Sequence, residues 1–193
     1  GGTIGTTAVA KSAADGYTLL MGSSGTVTVA PTVYKNAGYD PIKDLAPVGP
    51  VHVVPLVLTA ALKTPVTTYR EFVQLAEARN GQVSVASAGN GSSNHLAIEL
   101  LMREGNLRLV HVPYKGSGPA LNDLLGGQVD AMVDQLNASI QHIRDGRLKA
   151  LAVTTARRSS MLPNVPTLAE LGVAGYEAST FTGIFVPAGT PQV

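Results

Sequence analysis

Short apolar runs rich in β-branched residues alternate along this chain with segments whose apolar residues recur at helical spacing. The runs at residues 83–87, 109–113, 129–133 and 148–154 have the length of buried strands, and helical segments separate them. Strands joined by helices in this way pair in parallel and carry helices on the faces of their sheet. The pattern therefore predicts an α/β fold with a mainly parallel sheet.

The helix expected at residues 69–79 has the clearest boundaries. Thr68 and Glu71 have the spacing of a capping box, in which each side chain binds a backbone amide of the first turn. Asn80 and Gly81 supply the left-handed conformation that ends many helices. Further helices are expected after residue 93, at residues 119–125, and from Ser139 to Gly146.

The first third of the chain is less regular. A helix is expected at residues 5–14, a strand at residues 17–21 and, after a proline-rich stretch, a second strand at residues 51–58. The first of these strands runs into a loop of glycine and hydroxyl residues at positions 22–26. This part of the chain is interpreted as half of a lobe.

Three loops follow the strands of the middle region: residues 88–93, 114–118 and 134–137. Ligands bind to open α/β sheets at the carboxyl ends of the strands, where the first amides of each helix have no helical partner. Gly89 and Gly91 would let the backbone approach a ligand, and Ser92 and Ser93 add hydroxyls and amides at a helix start, which together predict a small-anion site. The alternative is that Ser92 or Ser93 caps a helix and the glycines only turn the chain.

Further candidates lie beside these loops. His95 falls in the first helical turn, where it would contact a ligand or a neighbouring carbonyl, and Lys115 is a loop cation that is either a ligand for a carboxylate or a solvated side chain. Asp134 could accept a hydrogen bond from a ligand. Asp130 is expected at the opposite end of the same strand, which argues against a pair of carboxylates in acid–base catalysis.

Composition narrows the functional classes. The 193 residues carry a net charge of +1 with dispersed Lys and Arg, which does not suit nucleic acid, and no apolar run reaches the length of a membrane span. Cys is absent, and no dinucleotide, P-loop or nucleophile-elbow motif occurs. The histidines, His52, His95, His111 and His142, fall in different elements. We therefore expect no metal site and no cofactor.

Several segments resemble the Bug, or TctC-type, solute receptors of the tripartite tricarboxylate transporters, and the resemblance covers essentially the whole chain in order. The segments that carry it are residues 13–20 (AADGYTLL), 39–44 (YDPIKD), 86–92 (ASAGNGS), 111–116 (HVPYKG), 124–130 (LLGGQVD), 150–154 (ALAVT) and 187–191 (PAGTP).

The resemblance implies a two-lobed, periplasmic-binding-protein-like fold of type II, each lobe a mostly parallel sheet flanked by helices. Residues 1–56 would form part of lobe 1, residues 57–178 lobe 2, and residues 179–193 a return to lobe 1. By position, the ligand-binding candidates are Ser23, Ser24, Gly25, Thr26, Ala88, Gly89, Gly91, Ser92, His95, Lys115, Gly116 and Asp134.

The resemblance also implies a function. The protein would be a periplasmic monomer that captures a small carboxylate-bearing metabolite, offers it to membrane transporter subunits and catalyses nothing. The chain begins GGTIG and ends TPQV, in which Pro191 is typical of a first helical turn, so we interpret it as truncated at both ends. Two alternatives stay open at this point: a small-molecule-sensing domain, and an enzyme that uses His95 or Asp134 on a carboxylic acid.

Overall fold

A computed structural model describes residues 2–191 and confirms the α/β class. Its helices are α1 Thr3–Ala10, α2 Ala30–Val33, α3 Tyr69–Ala78, α4 Ser93–Glu104, α5 Ser117–Gly126 and α6 Leu136–Arg144, and a π-helical turn spans Gly25–Val29. Its strands are β1 Leu20–Ser23, β2 Leu45–Ala61, β3 Ser84–Ser87, β4 Val110–Pro113, β5 Ala131–Gln135, β6 Leu148–Val153 and β7 Ser179–Pro187. Among residues 2–191, no helix combines the length and apolar character needed to cross a bilayer.

The chain divides into two compact units. Unit 1 holds the described residues up to Val53, the segment Gly91–Ser93 and the described residues from Thr180 onward; unit 2 holds Val54–Asn90 and Asn94–Ser179. The predicted lobe boundaries at residues 56 and 178 remain predictions, and residues 1, 192 and 193 of the predicted first lobe lie outside the described part of the chain.

Unit 1 is built on β1, β7 and the first part of β2. Strand β1 runs antiparallel to β7, with Leu20 opposite Phe185 and Ser23 opposite Thr182, and β7 neighbours β2. The strand predicted at residues 17–21 begins later, because Tyr17 still belongs to a turn in which its amide donates to Asp15 Oδ1 over 3.0 Å.

Unit 2 contains the sheet order β6–β2–β5–β3–β4. Strand β3 pairs in parallel with both β4 and β5, as the strand–helix alternation predicts. The second part of β2, however, lies between β5 and β6 and runs antiparallel to both. The expectation of a mostly parallel sheet is corrected here to a mixed sheet, since the alternation specifies only strands that helices connect.

Strand β2 is also much longer than the predicted residues 51–58. It begins at Leu45, so Pro47 and Pro50 of the stretch expected before the strand lie within it, as does Pro55 of the predicted range. Proline lacks an N–H to donate, so it is compatible with a strand only where the ladder does not need that donor. A prediction that treats prolines as strand breaks therefore misses half of this strand.

The core of unit 2 covers both faces of its sheet. Alternate strand residues point to opposite sides: Val85 packs with α3 and α4, whereas its neighbour Ala86 packs against α5. Phe72 and Leu124, both fully buried, anchor α3 and α5 on these two faces. A sheet held rigidly on both sides provides fixed positions for the loops at its strand ends.

Helix α3 confirms the predicted capping box. The amide of Glu71 donates to Thr68 Oγ1 over 3.2 Å, and the Thr68 amide donates to Glu71 Oε2 over 3.0 Å. Asn80 and Gly81 have positive φ angles of 50° and 80°, as expected for the residues that end this helix.

Two corrections affect the region around Asp134. The strand predicted at residues 129–133 is shifted toward the C-terminus, so Asp134 lies within β5 and not in a turn. Helix α6 then begins at Leu136, three residues before the predicted Ser139. An Asp usually marks the end of an apolar run, but this one is accommodated inside the strand by hydrogen bonds described below.

Candidate functional site

Three hydroxyl groups of unit 1 form a closed triangle. Ser24 Oγ lies 2.7 Å from Thr180 Oγ1 and 3.0 Å from Ser93 Oγ, and Ser93 Oγ donates to Thr180 Oγ1 over 3.1 Å. Ser24 follows β1, Ser93 is the first residue of α4, and Thr180 is the second residue of β7. Three segments that are distant in sequence thus place rotatable donors at one point.

The turn after β1 holds Ser24 in place. Thr26 Oγ1 accepts from the Ser23 amide and donates to the Ser23 carbonyl, both over 3.0 Å, and the carbonyl of Thr26 accepts from the Tyr39 hydroxyl. Burial raises the pKa of Tyr39, which keeps it a donor. The Thr26 side chain, predicted to line a ligand site, is buried and closes this turn.

Gly25 lies where unit 1 is closely packed. A Cβ at this position would lie 3.7 Å from the carbonyl oxygen of Gly91 and 3.7 Å from Cα of Ser92. The structure therefore brings together the predicted residues Ser24, Gly25, Gly91 and Ser92, with Ser93 completing the group. Their role as ligand contacts remains a prediction.

In unit 2 the loops that follow β3 and β4 are bonded to each other. The Gly116 amide donates to the Ala88 carbonyl over 3.0 Å, and a Cβ on Gly89 would lie only 2.7 Å from the Tyr114 carbonyl oxygen. Gly89 has a φ of 130°, so both space and backbone conformation require glycine here. Lys115 is exposed at the tip of its loop.

Asp134 is fully buried in unit 2 and accepts hydrogen bonds from three side chains. Ser117 Oγ donates to Oδ1 over 2.8 Å, Asn94 Nδ2 donates weakly to Oδ1 over 3.4 Å, and Ser139 Oγ donates to Oδ2 over 3.0 Å. Burial raises the pKa of Asp134, and these donors oppose that shift. In this conformation the carboxyl group joins the starts of α4, α5 and α6 and is not exposed.

Asp130 has a separate structural role. It precedes β5, accepts from Arg79 Nη1 over 2.8 Å and from Ser84 Oγ over 2.8 Å, and so ties α3 to β3. Asp130 and Asp134 have different partners at the two ends of β5, which agrees with the argument against a catalytic carboxylate pair.

Two histidines that were expected to lie apart meet in unit 2. The rings of His95 and His111 stack with centroids 4.1 Å apart and an interplanar angle of 17°, and His95 Nε2 lies 3.3 Å from Glu99 Oε1. His111 Nε2 lies 2.6 Å from Ser87 Oγ. Burial lowers the pKa of His111, nearby His95 lowers it further, and Glu99 opposes this.

One cluster bears on the expectation of no metal site, which remains a prediction. His95, Glu99 and His111 each offer one ligand atom, and these atoms all lie within 4.8 Å of one another. The sequence analysis did not predict this group, because His95 and Glu99 lie in α4 whereas His111 lies in the next element of the chain, β4.

Residues 1–193 match the family described as the tripartite tricarboxylate transporter family receptor. The chain belongs to that family. The predicted resemblance is therefore confirmed, with the match extending from one end of the chain to the other.

Solved structures of similar proteins agree with this assignment. The R. palustris protein Rpa4515 with adipate superposes with a TM-score of 0.96 at 38% identity over 99% of this chain. The periplasmic binding protein BugD gives 0.92 at 41% identity over 100% of the chain, and MatC from Rhodopseudomonas palustris with bound malate gives 0.90 at 37% identity over 98%. The predicted fold class, that of two-lobed periplasmic binding proteins, is confirmed.

This receptor-family chain spans only part of those proteins. It covers 64% of the Rpa4515 chain, 64% of the BugD chain and 65% of the MatC chain.

Sequence reasoning missed several residues of these groups. Ser117 lies beside the predicted candidate Gly116, and its position as a hydroxyl residue at a helix start was the signal that could have included it. Thr180 gave no comparable signal, because it lies in β7 and is 87 positions from Ser93. Asn94 and Ser139 could not be predicted because their partner, Asp134, is distant or buried, and Ser87 could not be predicted because its partner, His111, lies on another strand.

Proposed function

We propose that this protein is an extracytoplasmic substrate-binding receptor that captures a small organic acid, and that Ser24, Ser93 and Thr180 donate hydrogen bonds to one of its carboxylates. The hydroxyl triangle is the observation that carries the proposal. The family assignment supports it, as do two similar structures, one with adipate and one with bound malate.

The chemistry of the triangle suits a carboxylate. The three hydroxyls hydrogen-bond to one another at 2.7–3.1 Å. Each hydroxyl can rotate its proton toward an incoming oxygen without moving the backbone, because a Ser or Thr hydroxyl is both donor and acceptor. Hydrogen bonds to an ionised acceptor are shorter and about twice as strong as neutral ones.

The start of α4 adds to this site. Ser93 opens a helix of 12 residues, and the first amides of a helix have no partner within it. The positive end of the helix dipole favours an anion there by about 0.3–1 kcal/mol when exposed. Neutral donors together with a helix start would bind a dicarboxylate without an arginine.

The remaining features of the proposal follow the family. We propose that the two compact units correspond to the predicted lobes. The protein would act in the periplasm as a monomer, with membrane transporter subunits as its partners. It would release its ligand chemically unchanged. Asp134 supports a receptor over an enzyme, since it is fully buried and hydrogen-bonded to three side chains.

Calorimetric titration of variants tests the site. Ser93→Ala and Thr180→Val should each raise the Kd for malate or adipate by roughly 10- to 150-fold, because a hydrogen bond to a charged group is worth about 1.5–3 kcal/mol. Ser160→Ala removes an exposed hydroxyl outside the triangle and is the matched control. Unchanged affinity in both triangle variants, with the wild-type chain binding normally, would refute the assignment of these residues.

A further inference from the structure

His95, Glu99 and His111 form a cluster of metal-ligating side chains in unit 2. His95 and Glu99 are four residues apart on α4 and therefore on the same helix face, and β4 brings His111 against them. The side chains of His95 and Glu99 are 20% and 50% exposed, so solvent reaches the group.

We propose that these three residues bind one divalent transition-metal ion of the zinc class. The first argument is distance. His95 Nε2 and Glu99 Oε1 are 3.3 Å apart, and two ligands each about 2.0–2.1 Å from a tetrahedral Zn²⁺ are about 3.4 Å apart. This pair already has the separation that a shared ion requires.

The third ligand needs a small adjustment. All three ligand atoms lie within 4.8 Å of one another, which is wider than a tetrahedral pair. The His95 and His111 rings are nearly parallel, so one of them must turn for the ion to lie in both ring planes. Rotation of the partly exposed His95 ring about its side-chain torsions, with the half-exposed Glu99 side chain turning to follow it, would bring this about.

The donor set selects the class of ion. Two imidazoles and one carboxylate suit Zn²⁺, Cu²⁺ or Ni²⁺, whereas Ca²⁺ and Mg²⁺ prefer sites made of oxygen. Three protein ligands leave a tetrahedral ion with one open position, which water would fill.

Ser87 provides the kind of outer contact that metal-binding histidines require. Its Oγ lies 2.6 Å from His111 Nε2 and also accepts from the Gly89 amide over 3.1 Å. A ligating histidine generally uses its second ring nitrogen in such a hydrogen bond, which fixes the tautomer and the ring orientation. With Nε2 engaged by Ser87, Nδ1 is the ring nitrogen of His111 that remains for the ion.

Competition with a chromophoric chelator, using Zn²⁺ alone, tests the proposal. The wild-type chain should bind one Zn²⁺ saturably, and Mg²⁺ at the same concentration should not compete. Glu99→Gln and His95→Gln should each weaken binding by at least the roughly 10- to 100-fold that loss of an outer contact costs. The control is His52→Gln, which changes an exposed histidine of β2 outside the cluster.

Ring nitrogen NMR spectra of the unmutated chain provide a readout that does not depend on how variants fold. On addition of Zn²⁺, the signals of His95 and His111 should shift together at one equivalent, whereas those of His52 and His142 should not. Absence of saturable binding, equal loss of affinity in His52→Gln, or unmoved His95 and His111 signals would overturn the proposal. The test does not involve the organic acid, so its outcome is independent of the receptor function.

Discussion

Replacing Asp134 provides a graded test of the buried network in unit 2. Asp134→Ala removes an acceptor that Ser117, Ser139 and Asn94 all use, at 2.8, 3.0 and 3.4 Å. An unsatisfied buried polar group costs about 1–3 kcal/mol. Asn94 keeps a second bond, from Nδ2 to the Val133 carbonyl at 2.8 Å, so the loss falls mainly on the two serines. We expect the free energy of unfolding to fall by about 2–5 kcal/mol.

Asp134→Asn should behave differently. The amide keeps one oxygen for Ser117, and the Ser139 hydroxyl can reverse and accept from the new NH₂ group. Because volume and most bonds are retained, the free energy of unfolding should change by less than about 1.5 kcal/mol, the range of shape-conserving substitutions. Urea unfolding followed by circular dichroism measures both variants against the wild-type chain.

The pH dependence has a definite sign. Burial raises the pKa of Asp134 in the folded state above its usual value of 3.8. Between these two pKa values the folded state binds more protons than the unfolded state, so this group makes stability fall as pH rises through that window. The Asn variant lacks this carboxyl group, so its free energy of unfolding should rise relative to that of the wild-type chain as pH increases through this window. At pH values below the window, the difference between the two proteins should stay constant. A relative gain for the wild-type chain as pH rises would refute the reasoning.

Three further predictions concern local structure and use the same unfolding assay. Thr68→Ala removes the capping box of α3 and should cost about 1 kcal/mol; an unchanged midpoint would contradict it. Gly127→Ala forces a Cβ onto a residue with φ of 69° and within 2.5 Å of the Lys63 side chain, and should destabilise by about 1 kcal/mol or more. Gly118→Ala, inside the helix that Gly127 caps and with open space around it, should instead stabilise the fold by about 0.5–1 kcal/mol. Equal effects at both glycines would argue against a conformational cause.

The elements with strong local signals were predictable from sequence. The capping box predicted the start of α3, and the predicted helix at residues 119–125 ends one residue short of the end of α5. The order of strands and helices from β3 to β6 also followed from hydrophobic spacing, because each of these strands is short and each helix between them has an apolar face.

Features that depend on distant partners were not predictable. The position of β2 between β5 and β6 depends on sheet pairing, to which no local pattern points. Asp134 was expected to end a strand because a carboxylate is costly to bury, and only its three donors explain why the strand continues. The hydrogen bond of Thr180 and the stacking of His95 on His111 likewise depend on contacts between different elements, which no local pattern predicts.

The central claim is that this chain belongs to a receptor that holds a carboxylate and does not transform it. Titration of malate and adipate into the complete product of the gene that encodes this chain, with the 193-residue chain in parallel, tests it most directly. The account predicts saturable heat for at least one acid at a ratio of one to one, and an unchanged ligand spectrum by NMR after prolonged incubation. A folded gene product that binds no member of a panel of mono-, di- and tricarboxylates, or that converts its ligand to a product, would contradict it.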